Sequence, residues 1–412
     1  MSRRVVVTGL GAVTPLGNDW ATVREPLYTG RNAVRRMPEW DAIDGLKTRL
    51  GAPIVDFAPP AHFTRKRTRT MGRVALLATV ASEIALASAG LLDSEELSDG
   101  TMGVSFGSTS GSTSGIETYA RNFFGSGTLR GIGGSEYIKM MSHTCAANLA
   151  QFFAIRGRVI PTCSACTSGS QGIGYGYEAI KFGAHDLMLT GGAEELGAVE
   201  ASVFDILFAT STRNDEPELT PRPFDAARDG LVVGEGAGTL ILEELDHALA
   251  RGAQIHAEIL SYATNCDGKH LTNPDRESVA TVMRQALKGA GLAASDIGYL
   301  NAHGTGTDVG DVVESGASYE VFGDKVPFST LKGNFGHTLG ACGAIEAWAT
   351  IEMLRESVFA ATANLTDVDP ECGALDYIRG EPREIATELV MSNNFAFGGV
   401  NTSLIFKRWP QS

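Results

Sequence analysis

One short pattern occurs twice in the chain and constrains the fold more than any other feature. Six residues of ALASAGLLDS, from Ala85 to Ser94, recur in ALKGAGLAAS, from Ala286 to Ser295, at a constant offset of 201 residues. Each copy leads into a β-rich run and then a turn rich in Gly, Thr and Ser, GVSFGSTSGS or YLNAHGTGT. Two alanine-rich helices could match by chance, but the shared context favours a duplication. The sequence therefore predicts two similar α/β halves, 1–250 and 251–412, with insertions in the first.

Strand-like and helix-like segments alternate along the chain, which is typical of a layered α/β fold. The apolar, β-rich runs are RVVVTGL, TMGVSFGS, DLMLTGGAE, GTLILEE, AEILSYAT, IGYLNAHG, LVMSNNFAFGG and NTSLIFKRW. With 412 residues, 43% of them hydrophobic, the chain can bury a large core. Its 49 glycines have no repeat period, so they indicate tight turns and closely packed elements.

Charge and hydropathy exclude several functional classes. A net charge of −14 makes the chain a poor candidate for binding nucleic acid. The segment Val74–Leu92 has the length of a membrane span, but Glu83 would lie in mid-bilayer at a cost of a few kcal/mol, so we expect a buried helix and no membrane. The six cysteines, at 145, 163, 166, 266, 342 and 372, have no regular spacing. With no signal peptide evident, the expected location is the cytoplasm, with free thiols.

The segment PTCSACTSGS, residues 161–170, carries two cysteines three apart before a helical pattern. A redox C-x-x-C pair is expected early in a small domain, whereas this one lies in mid-chain. A zinc site needs a second ligand pair, which the sequence does not offer. Two buried structural cysteines are the plainest alternative. If Cys166 is a nucleophile, the helix that follows would lower its pKa and favour the thiolate.

Two histidines lie at comparable positions in the second half. His303 follows a predicted strand in NAHGTGTDVGD, and His337 precedes a predicted helix in KGNFGHTLGACGA. A single histidine is more often structural than catalytic. The junction at His337, however, resembles the junction at Cys166 in the other half. The three residues together form a candidate site for nucleophilic catalysis.

The whole chain resembles the β-ketoacyl-acyl-carrier-protein synthases, condensing enzymes of the thiolase-like superfamily, and is most similar to the elongating type II enzymes. The motifs ACTSG, FDAARDGLVVGEGAG, NAHGTGT, KGNFGH and NNFAFGGVNTSLIF occur in the family's order and at its spacing. The resemblance implies a thiolase-like layered fold and a decarboxylative Claisen condensation. Cys166 would take an acyl group from a carrier protein, and malonyl carrier protein would lose CO2 and attack it. No permanently bound cofactor is implied, since the carrier's phosphopantetheine arm holds the substrate.

The resemblance also implies roles for individual residues. His303 and His337 would stabilise the enolate by donating N–H hydrogen bonds, and Lys332 would support them. The backbone N–H groups of Cys166 and Phe397 would form an oxyanion hole. Four groups complete the implied site: the pantetheine-binding Thr305 and Thr307; the pocket residues Phe204 and Phe397, with Phe397 as the gate; Gly398 and Gly399, which would let the Phe397 backbone approach closely; and a supporting or monovalent-cation set of Asn301, Glu346, Ser392 and Asn393. A solvated surface pair is the alternative for Lys332 and Glu346, and core packing is the alternative for the two phenylalanines.

A basic stretch is a candidate docking site for the acidic carrier protein. It contains Arg65, Lys66, Arg67 and Arg69, and no acidic residue occurs between Phe57 and Ser82. An ordinary solvated loop is the alternative.

The resemblance implies a homodimer, or a heterodimer with a chain-length factor. It also raises the alternative that this chain is itself a non-catalytic chain-length factor, which the presence of Cys166 disfavours; a cysteine hydrolase would leave the second histidine unexplained.

Three departures from the family pattern affect the substrate pocket. Ala396 stands where a hinge glycine is usual, and Gly306 and Asp308 replace a common Ser and Pro in the His303 loop. With these departures, the chain resembles the synthases of aryl-polyene and other specialised polyketide gene clusters. A glycine-to-alanine change before the gate predicts a stiffer gate.

Overall fold

The computed structural model describes residues 3–410, and a mixed sheet of eleven strands forms its centre. The strands, in chain order, are β1 (Val5–Val13), β2 (Arg35–Arg36), β3 (Leu50–Gly51), β4 (Met102–Gly107), β5 (Val159–Thr162), β6 (Leu187–Glu194), β7 (Gly236–Glu244), β8 (Ala257–Cys266), β9 (Tyr299–Asn301), β10 (Pro327–Ser329), β11 (Val358–Phe359), β12 (Asp376–Tyr377), β13 (Arg383–Glu384), β14 (Leu389–Ala396) and β15 (Val400–Arg408). The order across the central sheet is β12-β10-β9-β14-β15-β8-β1-β7-β6-β4-β5, and β2–β3 and β11–β13 form two small separate ladders.

The central sheet consists of two halves that meet at β1. This strand pairs with β7 along its whole length, from Val5 to Val13, but with β8 only from Val5 to Val7. The short ladder lets the two halves diverge beyond Val7 and leaves room for helices between them. Strands from both 1–250 and 251–412 belong to this one sheet. The boundary between the two ranges therefore stays a prediction.

Helices fill the space between the halves and cover both outer faces. They are α1 (Trp20–Tyr28), α2 (Arg65–Thr68), α3 (Arg73–Ser88), α4 (Thr113–Ala120), α5 (Glu136–Met140), α6 (Thr144–Phe152), α7 (Ser168–Lys181), α8 (Ala198–Ile206), α9 (Leu245–Ala250), α10 (Arg276–Ala290), α11 (Asp308–Phe322), α12 (Lys332–Phe335) and α13 (Cys342–Glu356). The central layer is α7 and α13, which contact each other and strands of both halves. On the outside, α3 and α6 cover the first half, and α10 and α11 cover the second. The predicted layered α/β fold is therefore confirmed.

Glycines allow α7 to lie deep between the two halves of the sheet. A Cβ on Gly172 would come within 2.5 Å of the Gly191 carbonyl oxygen, and one on Gly174 would come within 2.3 Å of the Tyr262 ring. A side chain at either position would force the helix away from the strands. The glycine-rich sequence thus places the N-terminus of α7 at the centre of the molecule.

The duplicated pattern forms equivalent elements in the two halves. It ends α3 in one half and α10 in the other, and each helix is followed by a glycine, Gly90 or Gly291, with φ of 69°. A 3₁₀ turn and then a strand of the central sheet, β4 or β9, come next in both halves. All eight strands predicted from the β-rich runs are present.

The apolar segment around Glu83 is the outer helix α3, one face of which packs on β1 and β7. Its single acid, Glu83, is paired with His62, whose Nε2 lies 2.7 Å from the carboxylate. Among residues 3–410, no helix is both long and apolar enough to cross a bilayer.

Candidate active site

Cys166 lies in a tight turn at the N-terminus of the central helix α7. The 3₁₀ turn Ala165–Thr167 leads directly into the helix, and Ala165 adopts a left-handed φ of 48°. The Cys166 side chain is buried and lines a cavity of about 270 Å³. The turn therefore aims one thiol into a space that a substrate can enter.

His337 reaches the same point from the equivalent turn of the second half. Its Nε2 lies 3.0 Å from the Sγ of Cys166. The backbone on both sides is fixed, because the His337 N–H donates to the Val232 carbonyl at 2.7 Å and its own carbonyl accepts from Gly234 at 2.9 Å. The imidazole is thus held within hydrogen-bond distance of the thiol.

His303 completes a cluster of three side chains. It follows β9, and the carboxylate of Glu314 accepts hydrogen bonds from the backbone N–H groups of His303 and Gly304 at 2.7 and 2.6 Å. The rings of His303 and His337 are nearly perpendicular, with centroids 5.2 Å apart. Donor atoms of Cys166, His303 and His337 all lie within 4.8 Å of one another. The structure therefore brings together the three residues that the sequence singled out.

The resting nucleophile is a thiol and not a thiolate. Burial raises the pKa of Cys166 to about 12, and the nearby Lys332 cation and the backbone N–H groups of Cys166 and Phe397 only partly oppose this shift. The expectation that the helix terminus favours the thiolate is therefore wrong for the resting site, because desolvation outweighs the dipole. A proton acceptor is needed, and His337 is in position to be one.

Both histidines are neutral at physiological pH. Burial lowers the pKa of His303 and of His337 well below the usual value, and the charge of Lys332 lowers both further. Neutral imidazoles can accept the thiol proton or donate a hydrogen bond, depending on the tautomer. The Nδ1 of His303 lies 3.5 Å from the side-chain nitrogen of Asn394.

Lys332 and Glu346 form an ion pair that is almost completely buried. The alternative of a solvated surface pair is therefore wrong. The other carboxylate oxygen of Glu346 accepts from Asn394 Nδ2 at 2.7 Å. Pairing with Glu346 raises the pKa of Lys332 despite its burial, so the lysine carries a charge beside the histidines.

Three residues of the predicted cation-binding set, Asn301, Ser392 and Glu346, lie close together. Asn301 Nδ2 donates to the Ser392 hydroxyl at 3.2 Å. The side-chain oxygens of Asn301 and Asn393 are buried without hydrogen-bond partners. The Asn301 side chain lies close to the Glu346 carboxylate, and an unpaired amide oxygen beside a carboxylate suits a hard cation. These residues therefore fit the group that the resemblance implies, and the cation stays a prediction.

The remaining pocket residues line the cavity as expected. Thr305 and Thr307 both face it, with hydroxyl oxygens 2.9 Å apart. Phe204 and Phe397 face it too, with ring centroids 5.5 Å apart. Both rings therefore lie at the cavity wall as well as in a hydrophobic cluster, and their role in substrate binding stays a prediction.

Phe397 lies in the tight turn that joins β14 to β15. The N–H of Gly399 donates to the Ala396 carbonyl at 3.1 Å. Gly398 and Gly399 have φ of 90° and 74°, a conformation that glycine adopts without strain. The backbone N–H of Phe397 lies near enough to the Cys166 sulfur to lower the pKa of that thiol, and the predicted oxyanion hole stays a prediction.

The basic stretch lies on and just after the short helix α2, and Arg65, Lys66, Arg67 and Arg69 are all exposed. Arg67 also has a structural role, since its guanidinium lies 3.7 Å from the centroid of the Phe152 ring and donates to the Phe152 carbonyl at 2.9 Å. Arg65, Lys66 and Arg69 are therefore the better test of docking.

Three buried residues of the site were missed by sequence reasoning. Asn394 links His303 to Glu346, and Glu314 supports the His303 loop. The thiol of Cys342 donates to the carbonyl of Cys166 at 3.3 Å. Of these three residues, only Asn394 could have been found from the sequence, because it directly precedes the Phe-Ala-Phe-Gly-Gly turn. Glu314 and Cys342 lie in ordinary helical segments that give no indication of a role in the site.

Comparison with known proteins supports the same reading as this geometry. The family model "Beta-ketoacyl synthase, N-terminal domain" matches residues 2–248, and "Beta-ketoacyl synthase, C-terminal domain" matches residues 256–366. The chain belongs to the β-ketoacyl synthase family. It is 36% identical, over 99% of both chains, to 3-oxoacyl-[acyl-carrier-protein] synthase 1 of Haemophilus influenzae.

Two solved structures show the same fold. A β-ketoacyl synthase from Burkholderia phymatum is 57% identical, covers 99% of this chain and 100% of its own, and has a TM-score of 0.97. The structure of AntDE:AntF, a type II PKS acyl-carrier protein in complex with its ketosynthase bound to the hexaketide, is 28% identical with a TM-score of 0.90 and full coverage of both chains. The predicted thiolase-like fold is confirmed, and this β-ketoacyl synthase is a condensing enzyme of the acyltransferase class.

Proposed function

We propose that this β-ketoacyl synthase condenses an acyl group held on Cys166 with malonyl-acyl carrier protein, giving β-ketoacyl-acyl carrier protein and CO2 in fatty acid or polyketide synthesis. The observation that carries the proposal is that the His337 Nε2 lies 3.0 Å from the Cys166 thiol with His303 beside it, and that all three residues line one cavity. A chain-length factor would not need this buried thiol–imidazole pair, so the non-catalytic alternative has less support.

In the first step Cys166 is acylated. The thiol passes its proton to His337 as the sulfur attacks the thioester carbonyl, and the thioester C–S bond then breaks so that the carrier's pantetheine thiolate leaves and takes up that proton from His337. The backbone N–H groups of Cys166 and Phe397 stabilise the oxyanion of the tetrahedral intermediate. Since the thiol has a raised pKa, the step depends on a proton acceptor within hydrogen-bond distance.

In the second step malonyl carrier protein loses CO2. The bond between its α-carbon and the carboxylate breaks, and the electron pair forms an enolate on the thioester oxygen. His303 and His337 stabilise this oxygen by N–H donation, which neutral imidazoles provide. The enolate carbon then attacks the acyl-Cys166 carbonyl, and breakage of the C–S bond releases Cys166 as a thiolate, which takes up one proton from solvent to restore the resting thiol.

The carrier's phosphopantetheine arm is the only carrier of substrate that the reaction needs. Thr305 and Thr307 present paired hydroxyls along the cavity, which suits hydrogen bonding to the amides of that arm. The AntDE:AntF complex shows a carrier protein bound to its ketosynthase. We expect activity to survive chelation of divalent metals, because no step requires one.

The exposed cations on and near α2 steer the acidic carrier toward the enzyme. Changing Arg65, Lys66 and Arg69 to Glu should lower the association rate, and salt should weaken association with the wild type in the same way.

We also propose that the chain forms a homodimer. Sedimentation of the purified chain, alone and with a chain-length factor, distinguishes a homodimer from a heterodimer.

Intact-mass analysis after incubation with a panel of acyl carrier proteins tests the proposed reaction. The wild type and Cys163→Ala should gain one acyl group, and Cys166→Ala should gain none. Added malonyl carrier protein should discharge the acyl-enzyme and yield β-ketoacyl product. Acylation of Cys166→Ala would refute the nucleophile, and discharge to water alone would indicate a hydrolase.

A further inference from the structure

Three side chains with metal-binding donor atoms meet at Cys166. The Sγ of Cys166 and one ring nitrogen each of His303 and His337 all lie within 4.8 Å of one another, and all three residues are buried. Among residues 3–410, no other group of three or more His, Cys, Asp or Glu side chains has the spacing of a metal site. No second ligand pair follows Cys166 along the chain, but the fold brings two histidines to it from the other half.

The spacing of these donor atoms is close to that of a tetrahedral zinc site. With Zn–S bonds of about 2.3 Å and Zn–N bonds of about 2.0 Å, the ligand atoms of such a site lie roughly 3.3 to 3.6 Å apart. The Nε2 of His337 is 3.0 Å from the Sγ of Cys166, and the planes of the two imidazole rings are 88° apart. Side-chain rotations that move the donor atoms by on the order of 1 Å therefore bring all three to bonding distance.

The cavity gives a metal ion access to the three donors. Cys166, His303 and His337 all line it, so water can supply a fourth ligand, as it does in catalytic zinc sites. The charge of the nearby Lys332 is balanced by its buried ion pair with Glu346. A thiolate with two imidazoles suits Zn²⁺ and similar borderline metals, whereas Mg²⁺ and Ca²⁺ prefer oxygen ligands.

The surroundings of the two histidines differ from those of a resident zinc centre. In such a centre the second ring nitrogen usually donates to a carboxylate, a carbonyl or water. The Nδ1 of His337 is instead buried without a hydrogen-bond partner among the described residues, and the Nδ1 of His303 lies 3.5 Å from the Nδ2 of Asn394. This amide nitrogen is a donor, because it also lies 2.7 Å from the Glu346 carboxylate. We therefore expect a metal ion to bind reversibly and not to be retained as a cofactor.

We propose that Cys166, His303 and His337 form a reversible binding site for Zn²⁺ or a similar borderline divalent metal, which blocks the nucleophile. On binding, the S–H bond of Cys166 breaks, the sulfur bonds to the metal as a thiolate, and one proton passes to solvent. No electron is transferred. The inference goes beyond the proposed condensation, in which no step requires a metal. Because the same three side chains serve both processes, metal binding and acylation exclude each other.

Titration with Co²⁺ reports the ligands of the site by absorption. The protein for this experiment is Cys163→Ala with Cys266→Ala, which removes the two exposed thiols. Co²⁺ bound to a thiolate gives a charge-transfer band in the near ultraviolet, and we expect this band to saturate at one equivalent. Zn²⁺ should abolish the band, because it binds the same donors more tightly than Co²⁺ does.

Ligand variants in the same background test which side chains bind the metal. Cys166→Ala should remove the charge-transfer band, and His303→Ala should raise the Kd for Co²⁺ by at least about tenfold, the lower end of the effect of disturbing a metal site. Alkylating Cys166 with iodoacetamide should also remove the band, which separates loss of a ligand from misfolding of the alanine variant. A band that persists after either change to Cys166, or no band in the starting protein, would refute the proposal.

Protection from alkylation tests the site in the wild type. Zn²⁺ at about ten times its Kd should slow iodoacetamide modification of Cys166 about tenfold, since about one site in ten stays free. Modification of the exposed Cys163 and Cys266, mapped by mass spectrometry in the same sample, is the internal control. EDTA should restore the rate at Cys166, and Mg²⁺ should not change it. Equal protection of all three cysteines would overturn the proposal, by showing that Zn²⁺ binds thiols without selecting this site.

Acyl transfer separates this site from the proposed function. The same Zn²⁺ concentration should slow acylation of Cys166 by carrier protein about tenfold, and EDTA should restore it. Undiminished acylation would contradict the proposal. If no carrier protein acylates the wild type, while the cobalt band and the protection by Zn²⁺ are both observed, the metal site is supported and the proposed condensation fails.

Discussion

Ala165 and Leu339 share a left-handed backbone conformation, with φ of 48° and 45°, and each opens the 3₁₀ turn before a central helix. Three residues later α7 and α13 begin. Counted from these turns, Cys163 of the first half corresponds to His337 of the second. The two halves thus contain the same turn-to-helix junction. The nucleophile lies at the junction of the first half, and its proton acceptor lies at the junction of the second half.

The turn at Ala165 predicts an unusual response to substitution. Ala165→Gly relieves left-handed strain but adds freedom to the unfolded chain, so the free energy of unfolding should change by less than about 1 kcal/mol. Ala165→Val places a β-branched residue where it is disfavoured and should destabilise by at least about 1 kcal/mol. Denaturant unfolding measures both. Slower iodoacetamide alkylation of Cys166 is expected only in the valine variant, and equal rates in both would mean that the turn does not position the thiol.

Sequence patterns predicted the long strands and the junctions because local signals specify both. The runs at β1, β7 and β15 are apolar and β-branched, Gly169 comes three residues after Cys166, and Gly336 directly precedes His337. Short edge strands such as β5 and β12 were missed because two to four residues carry no period. Asn394, Glu314 and Cys342 were missed because their roles depend on contacts across the fold, which sequence spacing does not report. The pKa of Cys166 was mispredicted for the same reason, since burial is a property of the tertiary structure.

The two histidines should differ in which step they affect. His337 contacts the thiol, and His303 contacts Asn394. His303→Ala should therefore still form the acyl-enzyme, while release of radiolabelled CO2 from malonyl carrier protein falls at least ~10²-fold, the scale for one lost oxyanion donor. His337→Ala should slow both acylation and CO2 release. Equal effects of the two variants on acylation would contradict this division.

CO2 release should not decline as the pH falls through the ordinary histidine range. The pKa values of His303 and His337 lie well below the usual value because of burial and Lys332. A lowered histidine pKa keeps the imidazole neutral at pH values where an exposed one, with a pKa of about 6.5, is already protonated. The rate from preformed acyl-enzyme should therefore stay level from about pH 7.5 to about pH 6. A twofold loss centred near pH 6.5 would show that one of them titrates normally.

Breaking the buried Lys332–Glu346 ion pair should lower the free energy of unfolding more than breaking an exposed ion pair does. Lys332→Met leaves an unpaired buried carboxylate and should destabilise by about 3–5 kcal/mol. Adding Glu346→Gln removes that charge and should recover most of the stability, but not the decarboxylation rate. Arg284→Ala is the control, since its pair with Glu320 is exposed and should be worth less than about 1 kcal/mol. If the double variant is no more stable than Lys332→Met, the charge is not what destabilises it.

The turn around Phe397 should restrict which acyl chains reach Cys166. Ala396 is the last residue of β14, is paired with Val400, and accepts the hydrogen bond that closes the turn. A Cβ there narrows the available φ and ψ, so the turn should move less freely than one with glycine. Ala396→Gly should therefore speed acylation by long saturated acyl carrier proteins and change short or polyene substrates less. Phe397→Ala, which also removes the contact with Phe204, should broaden selectivity further. The measurement is the acylation rate of Cys166 across a chain-length series; an unchanged profile in both variants would mean that selectivity is set deeper in the pocket and that Phe397 is not a gate.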